Sequence, residues 1–317
     1  MEQKRILVTG AEGYIGKKVI KRLLNQHSGV DVVVGIDIKD SGNYVKENFH
    51  FVKCDILSNT PDLLIKKYNI NTIIHLASIV KAPKGMSRET MYNIDVVGTK
   101  KLYESAIKNK VSQFIITTSG ASYGYYSDNP KWLKETDRIR GNDEFAYSQH
   151  KKLVEEMLLD YRLKNAYPKQ LILRPGTVLG KGVSNQITDM FEKKVVTGIK
   201  NAKTPFVFIW DEDVVNIIFK GVFEEKSGIY NLAGDGFLTL PQIAKILKKP
   251  FIGIPAGFLK RVLSFLKKIN LTQYGPEQIR FLLYRPVLSN AKLKSEFKYT
   301  PKLTSKEVFE FYLSNSK

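Results

Sequence analysis

Tyr147 and Lys151 stand four residues apart in FAYSQHKK (145–152), a spacing that places two side chains on one face of a helix. A phenol with its ordinary pKa of ~10 is a poor base near neutrality. A lysine cation beside it favours the phenolate, and lowering that pKa by about 3 units takes roughly 4 kcal/mol of interaction. Such a pair could take a hydroxyl proton while hydride leaves the same carbon. The spacing also fits two polar neighbours on the outside of a helix in a lysine-rich chain. A second cluster, TGAEGYIG (9–16), spaces Gly10, Gly13 and Gly16 by three. Between a strand and a helix, such glycines let the backbone approach a pyrophosphate, whose charge the helix N-terminus favours. Tight turns need glycine anyway, but Asp37 follows Gly16 by 21 residues at the end of an apolar run. A carboxylate there accepts hydrogen bonds from a ribose diol and repels a 2′-phosphate, which favours NAD over NADP. Lys39 nearby softens that preference.

The elements that must position these residues alternate in the first half of the chain. Apolar, β-branched runs predict strands over 5–10, 30–37, 50–55, 71–78, 111–119 and 170–176, with helices over 14–25, 90–108 and 145–164 between them. Buried strands alternating with helices imply an α/β fold, a Rossmann-type doubly wound parallel sheet covered on both faces. The pattern loosens beyond Gly176. A dinucleotide-binding domain over 1–176 is therefore expected, then a smaller mixed substrate region over 177–317, with a strand near 228–234 returning to the sheet. No internal repeat or low-complexity linker interrupts the chain.

At 317 residues, with 43% hydrophobic and 26% charged residues, the composition is that of an ordinary globular protein. The residues before the first strand leave no room for a signal peptide, and no run reaches the ~18 apolar residues of a membrane span. The single cysteine, Cys54, excludes internal disulfides and reads as a small buried hydrophobe in a reducing, cytoplasmic setting. Four scattered histidines argue against a metal site. The formal charge of +19 suits phosphate-bearing partners, but lysine outnumbers arginine and is spread along the chain. A lysine-biased surface is the simpler reading, and nucleic acid is not the expected partner.

The glycine spacing GxxGxxG resembles the short-chain dehydrogenase/reductase superfamily. CDI (54–56), HLAS (75–78), TTSGASYG (117–124), YSQHK (147–151), LRPGTVLG (173–180), IWDEDVV (209–215), YNLAG (230–234) and SNAKLKSEFKYTP (289–301) resemble, in order, its extended branch, the NAD-dependent epimerase/dehydratase family. The resemblance implies a catalytic trio. Tyr147 is general base or acid, Lys151 its tuner and ribose contact, and Ser119 orients the substrate oxygen. It implies NAD held by Gly10, Gly13, Tyr14, Ile15, Gly16, Asp37, Asp55, Ile56, Leu76, Ala77, Ser78, Tyr147, Lys151 and Pro175, and substrate met by Ser119, Ser122 and Thr177. Thr117 and Thr118 read as strand residues, Thr118 as a weak substitute for Ser119, and Ser122 alternatively as the cap of a turn. His150 is expected to face solvent without a role. A homodimer through helices including the one bearing YxxxK is a further implication.

The chain departs from the family pattern at four places. Gly120-Ala121 stands where 4,6-dehydratases carry Asp-Glu, which disfavours dehydration. Asp95, in DVVGT, replaces the Asn of NVxGT. Thr177 stands in place of a substrate-binding Asn. Phe206 occupies the place of an arginine that holds the diphosphate, with Lys203 close by. The expected activity is that of a nucleotide-sugar (UDP-sugar) 4-epimerase working by transient oxidation. Its rivals are a dehydrogenase or reductase of a lipid, steroid-like or other carbonyl substrate, and a non-catalytic nucleotide- or RNA-binding protein. Finally, 257–271 reads as a basic amphipathic helix, with Phe258, Val262, Phe265 and Ile269 on one stripe and Leu259, Leu263 and Leu266 beside it. Docking of that stripe on the core is favoured over contact with a membrane surface.

Overall fold

The computed structural model describes residues 3–315 apart from 26–28, 41, 43–46, 84, 165–166, 270 and 272–274. The apolar runs form strands β1 (Lys4–Thr9), β2 (Val30–Asp37), β3 (Phe49–Lys53), β4 (Thr72–His75), β5 (Gln113–Thr117) and β6 (Lys169–Pro175), with β7 (Gly228–Leu232) added at one edge. They make one sheet in the order β7-β6-β5-β4-β1-β2-β3, parallel throughout. Strand order reverses between β1 and β4, so a crevice opens there at the carboxyl ends of the strands.

Alternate residues of β1 serve opposite faces. Ile6 and Val8 join the core under helices α1 (Tyr14–Leu24) and α4 (Asp211–Phe223), while Leu7 joins the core under α2 (Gly98–Lys108) and α3 (Ala146–Lys164). This is the doubly wound α/β sandwich that the β-branched strands imply. Cys54 is half-buried against the second core. Burial, with Asp55 and Asp37 nearby, pushes its thiol up to about 11. The region after residue 176 contributes β7 and α4 to this sandwich. It also builds a third core around Leu179, Phe191, Phe206, Phe208, Leu240 and Phe309.

Two segments differ from the sequence expectation. The single helix expected over 90–108 is a short helix Arg88–Tyr92, a π turn Asn93–Val97 and then α2. The wide turn carries Asp95 inward, where its carboxylate accepts the Ser78 hydroxyl and the Ile79 amide at 3.0 and 2.9 Å. Such single π turns recur at functional sites. The helix predicted near 257–271 is α5 (Ala256–Lys268), and it does not bury its apolar stripe. Leu259, Val262, Leu263 and Leu266 are half-buried, beside the short helix α6 (Gln278–Leu283), whereas Phe258 and Phe265 are 62% and 63% exposed.

Candidate active site

The carboxyl ends of β1, β4, β5 and β6 converge on a cavity of about 460 Å³. Its floor is the glycine turn between β1 and α1. Gly10 has φ +68°, and a Cβ there would lie 2.8 Å from the Ala77 backbone. A Cβ on Gly16 would lie 2.1 Å from the Gly10 carbonyl oxygen. Glycine is the residue these positions admit. Gly13 starts α1 with no side chain capping it and no acid in the first turn, so the amides and positive end of the helix face the cavity unspent. The turn is held from several sides. Asp37 accepts the Glu12 amide through Oδ2 (3.0 Å). The Tyr14 hydroxyl donates to Asp211, which also pairs with Lys18 (3.0 Å). Burial and Asp211 raise the Tyr14 phenol well above its ordinary value.

Thr9 accepts the Leu76 and Ala77 amides and therefore offers its own hydrogen to His75 Nδ1 (2.7 Å). The His75 Nε2–H then donates to Thr99 (2.8 Å), which donates to the Asp95 carbonyl. Burial, with Lys151 adding to it, pulls His75 down to about 3. The imidazole is thus a neutral strut between strand ends.

Tyr147 and Lys151 project from the first turns of α3 into the cavity, and Ser119 reaches it from the end of β5. The Ser119 side chain works to lower the pKa of the Tyr147 phenol. Lys151 Nζ lies 5.6 Å from the Tyr147 ring centroid and 3.5 Å from the Thr117 carbonyl oxygen. The charge balance differs from the expected one. Burial pushes the Tyr147 phenol up to about 12, with Ser119 opposing and the Asp95 charge assisting. Lys151 is itself lowered by burial, against the pull of Asp95 and Glu155. Desolvation outweighs the Ser119 contact, so the chain by itself keeps the phenol protonated at neutral pH.

Several positions differ from their sequence expectation. His150 does not face solvent. It is 2% exposed, with Nδ1 3.3 Å from Asp95 Oδ2 and the Tyr92 ring edge-on. Burial works to raise the Asp95 carboxyl, yet His150, Lys151 and the Ile79 amide hold it below the usual carboxylate range. Thr118 cannot stand in for Ser119, because its buried hydroxyl donates to Glu155 (2.8 Å). Ser122 is fully buried and donates to the Ser119 carbonyl, so it caps the turn and does not line the cavity. Gly10, Gly13, Tyr14, Ile15, Gly16, Leu76, Ser78, Pro175 and Thr177 line it. Asp37, Asp55, Ile56 and Ala77 stand outside that lining; Asp55 accepts the Leu57 amide, and Ile56 packs on Gly98.

Other residues at the site went unrecognised in the sequence. Arg285 enters the cavity with its guanidinium stacked 4.0 Å from the Phe206 centroid and 4.5 Å from that of Phe281. Its Nη1 is buried without a hydrogen-bond partner, and Nη2 lies 3.5 Å from the Thr177 hydroxyl. Burial pulls the guanidinium down to about 10, and it stays cationic at neutral pH. Behind Ser119, Arg174 forms a buried pair with Glu155 (2.5–3.0 Å) and donates to Tyr123, which fastens α3 to β6. The signals were faint: arginine before proline at 285–286, and Glu and Arg among apolar neighbours at 155 and 174.

The profile of the NAD dependent epimerase/dehydratase family matches residues 6–233. The chain belongs to this family. A UDP-glucose 4-epimerase of Erwinia amylovora is 30% identical over 213 residues, 64% of this chain and 60% of that one. A dTDP-4-dehydro-6-deoxyglucose reductase of Escherichia coli is 24% identical and covers 78% of this chain and 84% of that one. Among solved structures, the Thermotoga maritima UDP-glucose 4-epimerase with UDP-glucose superposes with a TM-score of 0.74 at 19% identity, over 98% of both chains. The Bacillus anthracis dTDP-glucose 4,6-dehydratase in complex with NAD gives 0.72 at 17% identity, over 98% of this chain and 96% of that one. The family name makes the cofactor NAD, and the donor amides of the glycine turn and uncapped α1, with Asp37 as an acceptor, fit it. Epimerase, dehydratase and reductase stand side by side in these likenesses, so the fold does not exclude dehydration.

Proposed function

We propose that this protein is an NAD-dependent nucleotide-sugar 4-epimerase whose transient oxidation is carried by Tyr147, Lys151 and Ser119. The observation behind the substrate class is Arg285, a half-buried cation that lines the cavity and whose Nη1 is buried without a hydrogen-bond partner. A guanidinium so placed calls for an anion, and its fork suits a diphosphate. It lies on the face of Phe206, the residue that replaces the expected diphosphate arginine, so a cation from a later segment fills that role. Residues 1–176 hold the dinucleotide, and 177–317 supply Thr177, Phe281 and Arg285 to the substrate half.

When bound, NAD would supply the hydride acceptor. Ser119 holds the sugar oxygen and Tyr147 removes its proton as hydride leaves the carbon. The ketone formed turns in the cavity, and Tyr147 returns the proton when hydride comes back on the other face. Lys151, fixed under Thr117, holds the cofactor ribose and favours the phenolate. Gly120 and Ala121 line the cavity beside Ser119, and a Cβ on Gly120 would already lie 2.9 Å from Leu288. Leu159 and Leu163, exposed on α3, are the contacts we assign to a homodimer, and the single cysteine favours a cytoplasmic setting for it.

A carbonyl reductase is the second reading, favoured by the apolar walls Tyr125, Val207, Phe281 and Leu288. The test is to incubate the protein with UDP-glucose or UDP-galactose, without added coenzyme, and follow the stereochemistry at C4. Interconversion supports the epimerase. Net reduction or oxidation of added coenzyme with a carbonyl or alcohol, and no interconversion, overturns it.

A further inference from the structure

Helix α5 (Ala256–Lys268) is the one long helix here without a buried residue among those described. Its inner side, Leu259, Val262, Leu263 and Leu266, is half-buried. The remaining apolar side chains form a second row along the helix, Phe258, Phe265 and Ile269, exposed by 62%, 63% and 45%. Leu271, just beyond, is 72% exposed. Residues seven and eleven apart repeat on one side of a helix, so this row is continuous. Arg261 and Lys268 flank it, and Lys260 and Lys267 lie across the polar side; all four are exposed.

The surroundings add charge of one sign. From Phe237 to Pro276 the chain has seven Lys and Arg residues and no Asp or Glu. The nearest acid, Glu277, is engaged by Lys267 (3.1 Å). No helix among the described residues is long and apolar enough to cross a membrane. An aromatic row flanked by cations on a polar helix is the pattern of an element that lies in the plane of a lipid surface. A second copy of this chain fits poorly. A two-fold contact sets a patch against itself, and here that would bring like charges together.

We propose that α5 docks on an anionic lipid surface, with Phe258, Phe265 and Ile269 entering the headgroup layer and the flanking Arg261 and Lys268 meeting lipid phosphates. The α6 segment that follows carries Phe281 and leads to Arg285. The docked face is therefore continuous in sequence with the substrate half of the cavity. This inference does not depend on which reaction the site performs.

The test is co-sedimentation of the full chain with phosphatidylcholine vesicles, with and without phosphatidylglycerol, beside Phe258→Ser/Phe265→Ser and Arg261→Gln/Lys268→Gln variants. Both pairs are exposed, so the folded state should survive, and unchanged NAD binding by each variant checks it. Binding is expected only to vesicles containing phosphatidylglycerol, to weaken with salt, and to fall by about tenfold or more in the phenylalanine variant. Failure of the unmodified protein to bind those vesicles overturns the proposal. So does vesicle binding that the phenylalanine substitutions leave unchanged, since charge alone then explains it. A loss of oligomer mass in the phenylalanine variant, with no vesicle binding by the parent, would instead assign the face to a contact between copies.

Discussion

The cofactor and substrate halves we propose for the cavity are built by different means. The cofactor half is mainly backbone: Gly10, Gly13 and Gly16 clear space, the start of α1 offers amides, and Asp37 accepts one amide of the turn. The substrate half is side chains gathered from distant segments, with Thr177, Phe206, Phe281 and Arg285 meeting across more than 100 residues of chain. Backbone geometry leaves a spaced signature in the sequence, because only glycine fits. A cation delivered by a remote loop leaves a single arginine among many basic residues.

The sharpest way to test that division is to remove the residue standing between the halves. Tyr147→Phe should lower turnover by about 10²–10⁴-fold while NAD binding stays nearly intact. Full activity would take the phenol out of the chemistry. Next in size, Arg285→Ala should raise KM for a nucleotide sugar by about tenfold to a hundredfold, the loss of one charge-assisted contact. NAD affinity should hardly change, and an equal loss of both would mean that the halves are not separate. Asp37→Ala is the mirror experiment. It should narrow the gap between NAD and NADP affinity and leave the sugar KM alone.

The smallest effect concerns pH. The Asp95 charge helps to raise the Tyr147 phenol, so Asp95→Asn should lower that pKa. The limb of kcat/KM that rises as Tyr147 loses its proton should then move to lower pH. Movement to higher pH would mean that the Asp95–His150 pair acts on the site otherwise than through its charge.

Much of the fold was legible because β1, β2, β4, β5 and β6 are largely buried on both faces and read as apolar runs. Ser119, Tyr147 and Lys151 were legible through their motifs, and the structure brings all three to one cavity wall. His150 was misread because helical spacing from Tyr147 suggested an outer face, whereas the π turn brings Asp95 in to meet it. The α5 stripe was misread because amphipathicity reports that two faces differ and not what covers them. Arg285 was missed for a related reason. Burial without a partner is a property of three-dimensional packing, and 285–286 in the sequence shows only an arginine before a proline.

The central claim is that this site oxidises and re-reduces one substrate without releasing its hydride to solution. The most direct measurement is to denature freshly purified protein and identify the nucleotide it sets free. NAD or NADH in near-stoichiometric amount is the predicted result, since an epimerase can keep its cofactor through every turnover. Protein that emerges empty and exchanges NAD freely with solution would contradict the epimerase account and favour a dehydrogenase or reductase at the same Tyr147, Lys151 and Ser119.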